Sequence, residues 1–195
     1  TAIAFLLNRN IRFRGGIQTL ILIPLVISPT VVALLWQLLY TSGGLLDYIV
    51  RPLTGAPVLW LSEPGIALWS LIIADVWQMT PLVVLVVLAG LQAVPDHIQE
   101  AAVMDGAGTI RQFLDITFPF IKDLLFLVLI LRVVGTMRVF AKVFVLTQGG
   151  PAGSTNVISM ALYLQAFRFG NFGLASAMAV ILLVIALLIA VTFAK

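Results

Sequence analysis

Charged residues divide the chain into long apolar stretches separated by short polar ones. No charge occurs from Gly15 to Leu46, only Asp75 from Pro64 to Pro95, and none from Phe169 to Ala194. The stretch from Leu124 to Thr147 is equally apolar apart from Arg132, Arg138 and Lys142. Each exceeds the roughly 20 residues that a helix needs to cross a bilayer core. Lipid-exposed backbone must satisfy its own hydrogen bonds, so the pattern predicts an all-α membrane protein with about four full spans. Thr1–Leu7 is apolar but too short to span, and lacks the basic start and cleavage site of a signal peptide. It reads as the inner end of a preceding helix, within a single transmembrane domain covering 1–195.

Composition agrees. Of 195 residues, 62% are apolar and 10% charged, against about a quarter charged in soluble domains. Mean hydropathy is +1.15. The net charge of +3 is too small to argue for nucleic acid, and with no cysteine there is neither a disulfide nor a thiolate site. The position of the charges matters more than their sum. Asn8–Gly15, Leu91–Asp123 and the end of the chain carry Arg9, Arg12, Arg14, Arg111, Lys122 and Lys195. Thr41–Glu63 and Gln148–Gly170 carry only Arg51 and Arg168. The asymmetry places the first set in the cytoplasm. The outer loops are themselves apolar and are expected to lie on the membrane or fold back into it.

Enzyme signatures are missing. There is no Gly-x-x-x-x-Gly-Lys-Ser/Thr loop for ATP, no His-Glu-x-x-His, and no Gly-x-Ser-x-Gly elbow. The single His97 cannot build a zinc site. No catalytic, metal or cofactor site is expected in this chain.

The longest inner loop, 91–123, is the most informative stretch. Pro95 suits a first helical position and Asp96 and Glu100 favour the positive end of a helix dipole. Ala101 and Ala102 propagate the helix and Gly106 stops it. Thr109 is then expected to cap a second short helix ending before Pro119. The spacing Glu100-Ala101-Ala102, three residues, Gly106, nine residues, Ile116 and then Pro119 resembles the EAA loop of the membrane subunits of bacterial ABC importers. The continuation Asp105-Gly106-Ala107 is similar to the sugar-importer branch of maltose and glycerol-phosphate permeases, with one departure at Phe118, usually Leu. Ile23-Pro24, Ser28-Pro29, Val76-Trp77-Gln78 with Pro81, and Gln148-Gly149-Gly150-Pro151 match elsewhere.

The resemblance implies a type I importer bundle in the bacterial inner membrane, a multi-pass subunit forming half of a translocation pathway. It also implies a second permease subunit in a heterodimer, two ATPase subunits holding ATP and Mg, an extracytoplasmic binding protein and a sugar substrate. Residues 100–102 and 105–107 would form the coupling surface for the ATPase. The sugar pathway of the family carries over to Asp75, Gln78, Met79 and Leu82, and to Arg132, Thr136, Arg138 and Val139.

Charges within the spans have their own logic. Each centrally placed Arg or Lys costs about 2.5–3.5 kcal/mol, so the Leu124–Thr147 helix cannot face lipid all round. At about 100° per residue Arg132, Arg138, Val139 and Lys142 share one face. Asp75 lies roughly 16 Å deep, between Arg138 and Arg132, and is expected to pair with one of these arginines while Lys142 snorkels outward. Either these faces line a polar cavity, or the pair only fixes helix packing. A self-contained channel or secondary transporter would use the same Asp/Arg/Lys set as a relay; neither it nor a structural membrane subunit needs a small-residue docking helix such as the 91–123 loop offers.

Overall fold

The computed structural model describes residues 2–8 and 13–193. Within them there is no strand. The elements are α1 (Ala2–Asn8), α2 (Arg14–Val26), α3 (Pro29–Tyr40), α4 (Leu45–Thr54), α5 (Pro64–Gln92), α6 (Asp96–Met104), α7 (Thr109–Gln112), α8 (Phe118–Met137), α9 (Ala141–Leu146), α10 (Ile158–Tyr163) and α11 (Phe172–Phe193). Single π-helical turns, Phe113–Thr117 and Leu164–Arg168, follow α7 and α10. The chain divides into two compact units: 1–25 with 79–132, and 26–78 with 133–195.

The apolar runs are more broken than the sequence pattern suggests. Gly15–Leu46 was expected as one span; it breaks at Ile27–Ser28. Ser28 takes an extended N-cap conformation with Pro29 at the first helical position, a helix start inside a hydrophobic run. Leu124–Thr147 likewise breaks between Met137 and Ala141. The end of α8 tightens into short-range bonds, Arg138 N–H to Gly135 O and Val139 N–H to Thr136 O. Among the described residues, Pro64–Gln92 and Phe172–Thr192 are long and apolar enough to cross a bilayer. A third span results if α2 and α3 form one broken span. Helix α8 has only 20 residues and includes Lys122, Asp123 and Arg132.

In the loop the structure corrects a further expectation. The second short helix does not end before Pro119; α7, the π-turn and α8 follow one another without a gap. Phe118 N–H bonds to Phe113 O, one residue further back than in an α-helix. That change of register places Pro119 in the first turn of a new α-helical run, where its missing N–H is tolerated. Gly108 supplies the first carbonyl of α7, accepting from Gln112 N–H at 3.0 Å, so Thr109 is the first helical residue rather than the cap.

The first unit buries Ala4 and Leu7 of α1 with Val84, Val87, Leu88 and Leu91 of α5 and Ile121 of α8. Phe5 meets the ring of Phe113 edge-on at 5.3 Å, fastening α1 to the π-turn. Gly90 lets α5 and α8 approach closely, since a Cβ there would lie 2.7 Å from Leu124 Cδ1 and 3.1 Å from Ile121 Cγ2. The second unit packs Ala33 and Tyr40 of α3, Leu71 and Ala74 of α5, Val143 and Leu146 of α9 and Met160 of α10. Tyr40 donates from its hydroxyl to Ser70 O at 2.8 Å. The helical crossing at Gly90 predicts that Gly90→Val lowers stability by about 1–3 kcal/mol through overpacking, read as a shifted unfolding transition in detergent. An unchanged transition would mean the contact yields without cost.

Candidate functional site

The loop 91–123 lies wholly in the first unit. Helix α6 ends as the sequence requires: Gly106 has φ +72°, and Ala107 N–H returns to Ala102 O at 2.9 Å while Asp105 N–H bonds Ala101 O at 3.0 Å. A left-handed residue closing such a six-to-one bond is a Schellman cap. No atom lies within 4 Å of a Cβ built on Gly106, so glycine is needed for its backbone angle and not for space. Gln112 adds a side-chain bond, Nε2 to Ala107 O at 2.6 Å.

The two alanines face different ways. Ala102 is 8% exposed and shares a face with half-buried Ile98, whereas Ala101 is exposed with His97 and Met104. The sequence reading set both alanines against a partner; the helical period turns Ala102 into its own unit. Asp105 is exposed and Ala107 half-buried. The side chain of Glu100 lies outside the described residues, as do Arg9, Arg12 and Lys195. The sequence reading did not single out Met104, 87% exposed, or the exposed Ile110 and Leu114 that follow. An apolar residue beside the turn-forming glycine was the available signal.

The residues expected within the spans divide between the units. Met79, Leu82 and Arg132, all half-buried, belong to the first. Asp75, Gln78, Thr136, Arg138 and Val139 belong to the second. Here Lys142 departs from expectation. Asp75 pairs with Lys142: Nζ to Oδ1 is 2.5 Å, and the lysine side chain is 3% exposed. Lys142 does not snorkel. The interruption after Met137 breaks the 100° extrapolation that had placed it on the arginine face, and Arg138 stays exposed.

Gln78 also has a different task. It is 1% exposed and donates from Nε2 to Ile27 O at 2.9 Å, satisfying the carbonyl freed where α2 gives way to α3. Thr136 Oγ1 donates to Val133 O at 2.8 Å, and Val139 O accepts from Ser159 Oγ at 2.8 Å. Of this unit's predicted pathway residues, Arg138 and Thr136 are exposed while Asp75 and Gln78 hold helices together. No cluster of metal-ligating side chains occurs among the described residues.

Residues 1–194 match the family described as binding-protein-dependent transport system inner membrane component. The chain belongs to that family. It is 39% identical over 193 residues to the trehalose/maltose transport system permease protein MalF of Thermococcus litoralis, covering 98% of this chain and 65% of that one. Identity to the xylose/arabinose import permease protein XacH of Haloferax volcanii is 35% over 187 residues, 95% of this chain and 59% of the relative. The chain thus spans about three fifths of the length of these relatives. Among solved structures, a chain of a bacterial ABC transporter involved in the import of the acidic polysaccharide alginate superposes with a TM-score of 0.87 at 23% identity, covering 98% of this chain and 68% of that one. The type I importer fold is thereby shown. Membership in this inner membrane component family favours an importer permease over a self-contained channel or secondary transporter.

The buried pair makes a sharp prediction. Asp75→Ala strands the Lys142 ammonium in an apolar core and is expected to cost about 3–5 kcal/mol; Lys142→Ala removes the other half of the pair, and the double variant should cost less than the sum of the two. Arg138→Ala, at an exposed position, should stay within about 0.5 kcal/mol. Unfolding in detergent reads all four variants, and strict additivity of the first two would contradict the pairing.

Proposed function

We propose that the chain is the membrane-spanning part of a permease subunit in an ATP-driven sugar importer. It forms half of a translocation pathway and takes its energy from separate ATPase subunits, which hold the ATP and Mg. The observation that carries this reading is the loop between α5 and α8 in a chain of this family: a short helix reversing at a left-handed Gly106 and presenting Ala101 and Met104 outward. Around it the reading places a second permease subunit and an extracytoplasmic binding protein, in a multi-pass arrangement of the bacterial plasma membrane with 91–123 in the cytoplasm. The MalF and XacH relatives, named for disaccharide and pentose transport, support a small carbohydrate as substrate.

The ATPase contact is assigned to residues 100–107, with Ala101, Asp105 and Gly106 outermost and Ala102 behind them. In the second unit the pathway role falls on Thr136, Arg138 and Val139, with Asp75 and Gln78 holding its helices in place; in the first unit it falls on Met79, Leu82 and Arg132.

Two tryptophan variants separate the faces of α6. Ala101→Trp is expected to leave the fold intact and abolish co-purification with the ATPase. Ala102→Trp should instead overpack the interior and lower stability by about 1–3 kcal/mol. Gly106→Val strains the left-handed turn by roughly 1–2 kcal/mol and should reduce substrate-stimulated hydrolysis in reconstituted membranes. Full co-purification and stimulation with Ala101→Trp and Gly106→Val would refute the docking surface.

A further inference from the structure

Helix α4 turns its apolar side outward. Its ten residues place Leu45, Tyr48, Ile49, Pro52 and Leu53 within an arc of about 140°, and all five are exposed, Leu53 at 86% and Tyr48 at 79%. The one acid of the helix points the other way. Asp47 is buried, accepting from Gly43 N–H through Oδ2 and from Val58 N–H through Oδ1, each at 3.1 Å. Leu46 packs on the core of the second unit. Arg51 sits at the border of the apolar arc and lines an open depression with Gly43, Tyr48 and Gly55.

A patch of this kind on a water-facing surface is unusual. At 1.5 Å per residue the helix is about 15 Å long, half of a bilayer core, so it cannot span. It packs on α3 and precedes α5, whose first half exposes Leu68, Trp69, Ile72 and Ile73; the apolar surface continues into a span long enough to cross the membrane. Aromatic rings at Tyr48 and Trp69 suit the level where headgroups meet acyl chains.

We infer that α4 is an interfacial helix lying in the plane of one membrane surface, its apolar arc sunk among lipid acyl chains and Arg51 reaching lipid phosphates. The buried clamp at Asp47 holds both ends of its loop, so the helix docks as a preformed element. The inference rests on the membrane placement of the family and not on the sugar or ATPase assignment.

Residues 1–195 contain no cysteine, so single nitroxide labels can be placed there in the full-length subunit of the assembled transporter once any cysteine elsewhere is replaced, in vesicles of phosphatidylethanolamine and phosphatidylglycerol. With Ile49→Cys and Leu53→Cys, relaxation by oxygen should exceed relaxation by a water-soluble nickel chelate several-fold. With Thr54→Cys, on the opposite side of the helix, the ratio should invert. An unchanged unfolding transition in detergent for each labelled variant certifies the fold. Equal access of the nickel chelate at 49, 53 and 54 would place the helix in water and overturn the inference. Exclusion of both reagents at 49 and 53 would mean that another protein covers the face, and would overturn it equally.

Discussion

An ammonium group buried among alkyl side chains is tolerated only with its counter-ion in contact, and Asp75 provides that contact for Lys142. Helix α9 has six residues, far below the length at which a helix persists alone. Its position follows from packing on α3 and from this charge pair, which ties it to the first half of α5. The core of the second unit, from Ala33 through Leu71 and Ala74 to Val143 and Leu146, is assembled around that tie. Replacing both charges with alkyl groups could fill the same space; the ion pair adds a choice of register, since only one turn of α9 brings Nζ to the carboxylate.

The second constraint is the backbone itself. A chain in lipid cannot leave a carbonyl or N–H open, yet this one interrupts its helices repeatedly. Several interruptions are closed by a side chain: Gln78 on Ile27 O, Ser159 on Val139 O, Asp47 on the amides of Gly43 and Val58. Ser70 does the same, donating to Trp60 O at 2.8 Å. Polar residues inside an apolar segment therefore mark broken backbone as well as ligand sites. In this unit Gln78 is committed to the break and Arg138 remains exposed.

This explains what could be read from the sequence. Gly106 was legible because a left-handed turn is a local demand that few residue types meet, and the family spacing around it is specific. The all-helical class was legible because hydropathy is summed over long windows. The breaks were hidden by the same summation, although Ser28-Pro29 is a helix start visible to the eye. The Asp75–Lys142 pair was illegible for a derived reason: the 100° period holds only along one unbroken helix, and Arg138–Phe140 resets the phase. Ala102 was misplaced because a small apolar residue carries no signal of which side it faces; only its relation to Ile98 and Met104 decides that.

The two short helices α4 and α6 show how exposed apolar surface can be told apart by its partner. On α6 the outward face mixes His97, Ala101, Met104 and, just beyond, Asp105, so polar, small and flexible groups alternate. That mixture suits a protein surface, where hydrogen bonds and close approach are both available. On α4 the outward arc holds bulky apolar groups with one phenol and one proline, and its carboxylate is turned inward and saturated by backbone amides. A fluid hydrocarbon offers no hydrogen bonds and demands no shape, so a uniform greasy face matches it, while a protein partner would leave such a face without directional contacts. Burying the acid and leaving the leucines outside inverts the order expected in water, and hydrocarbon on that side accounts for the inversion.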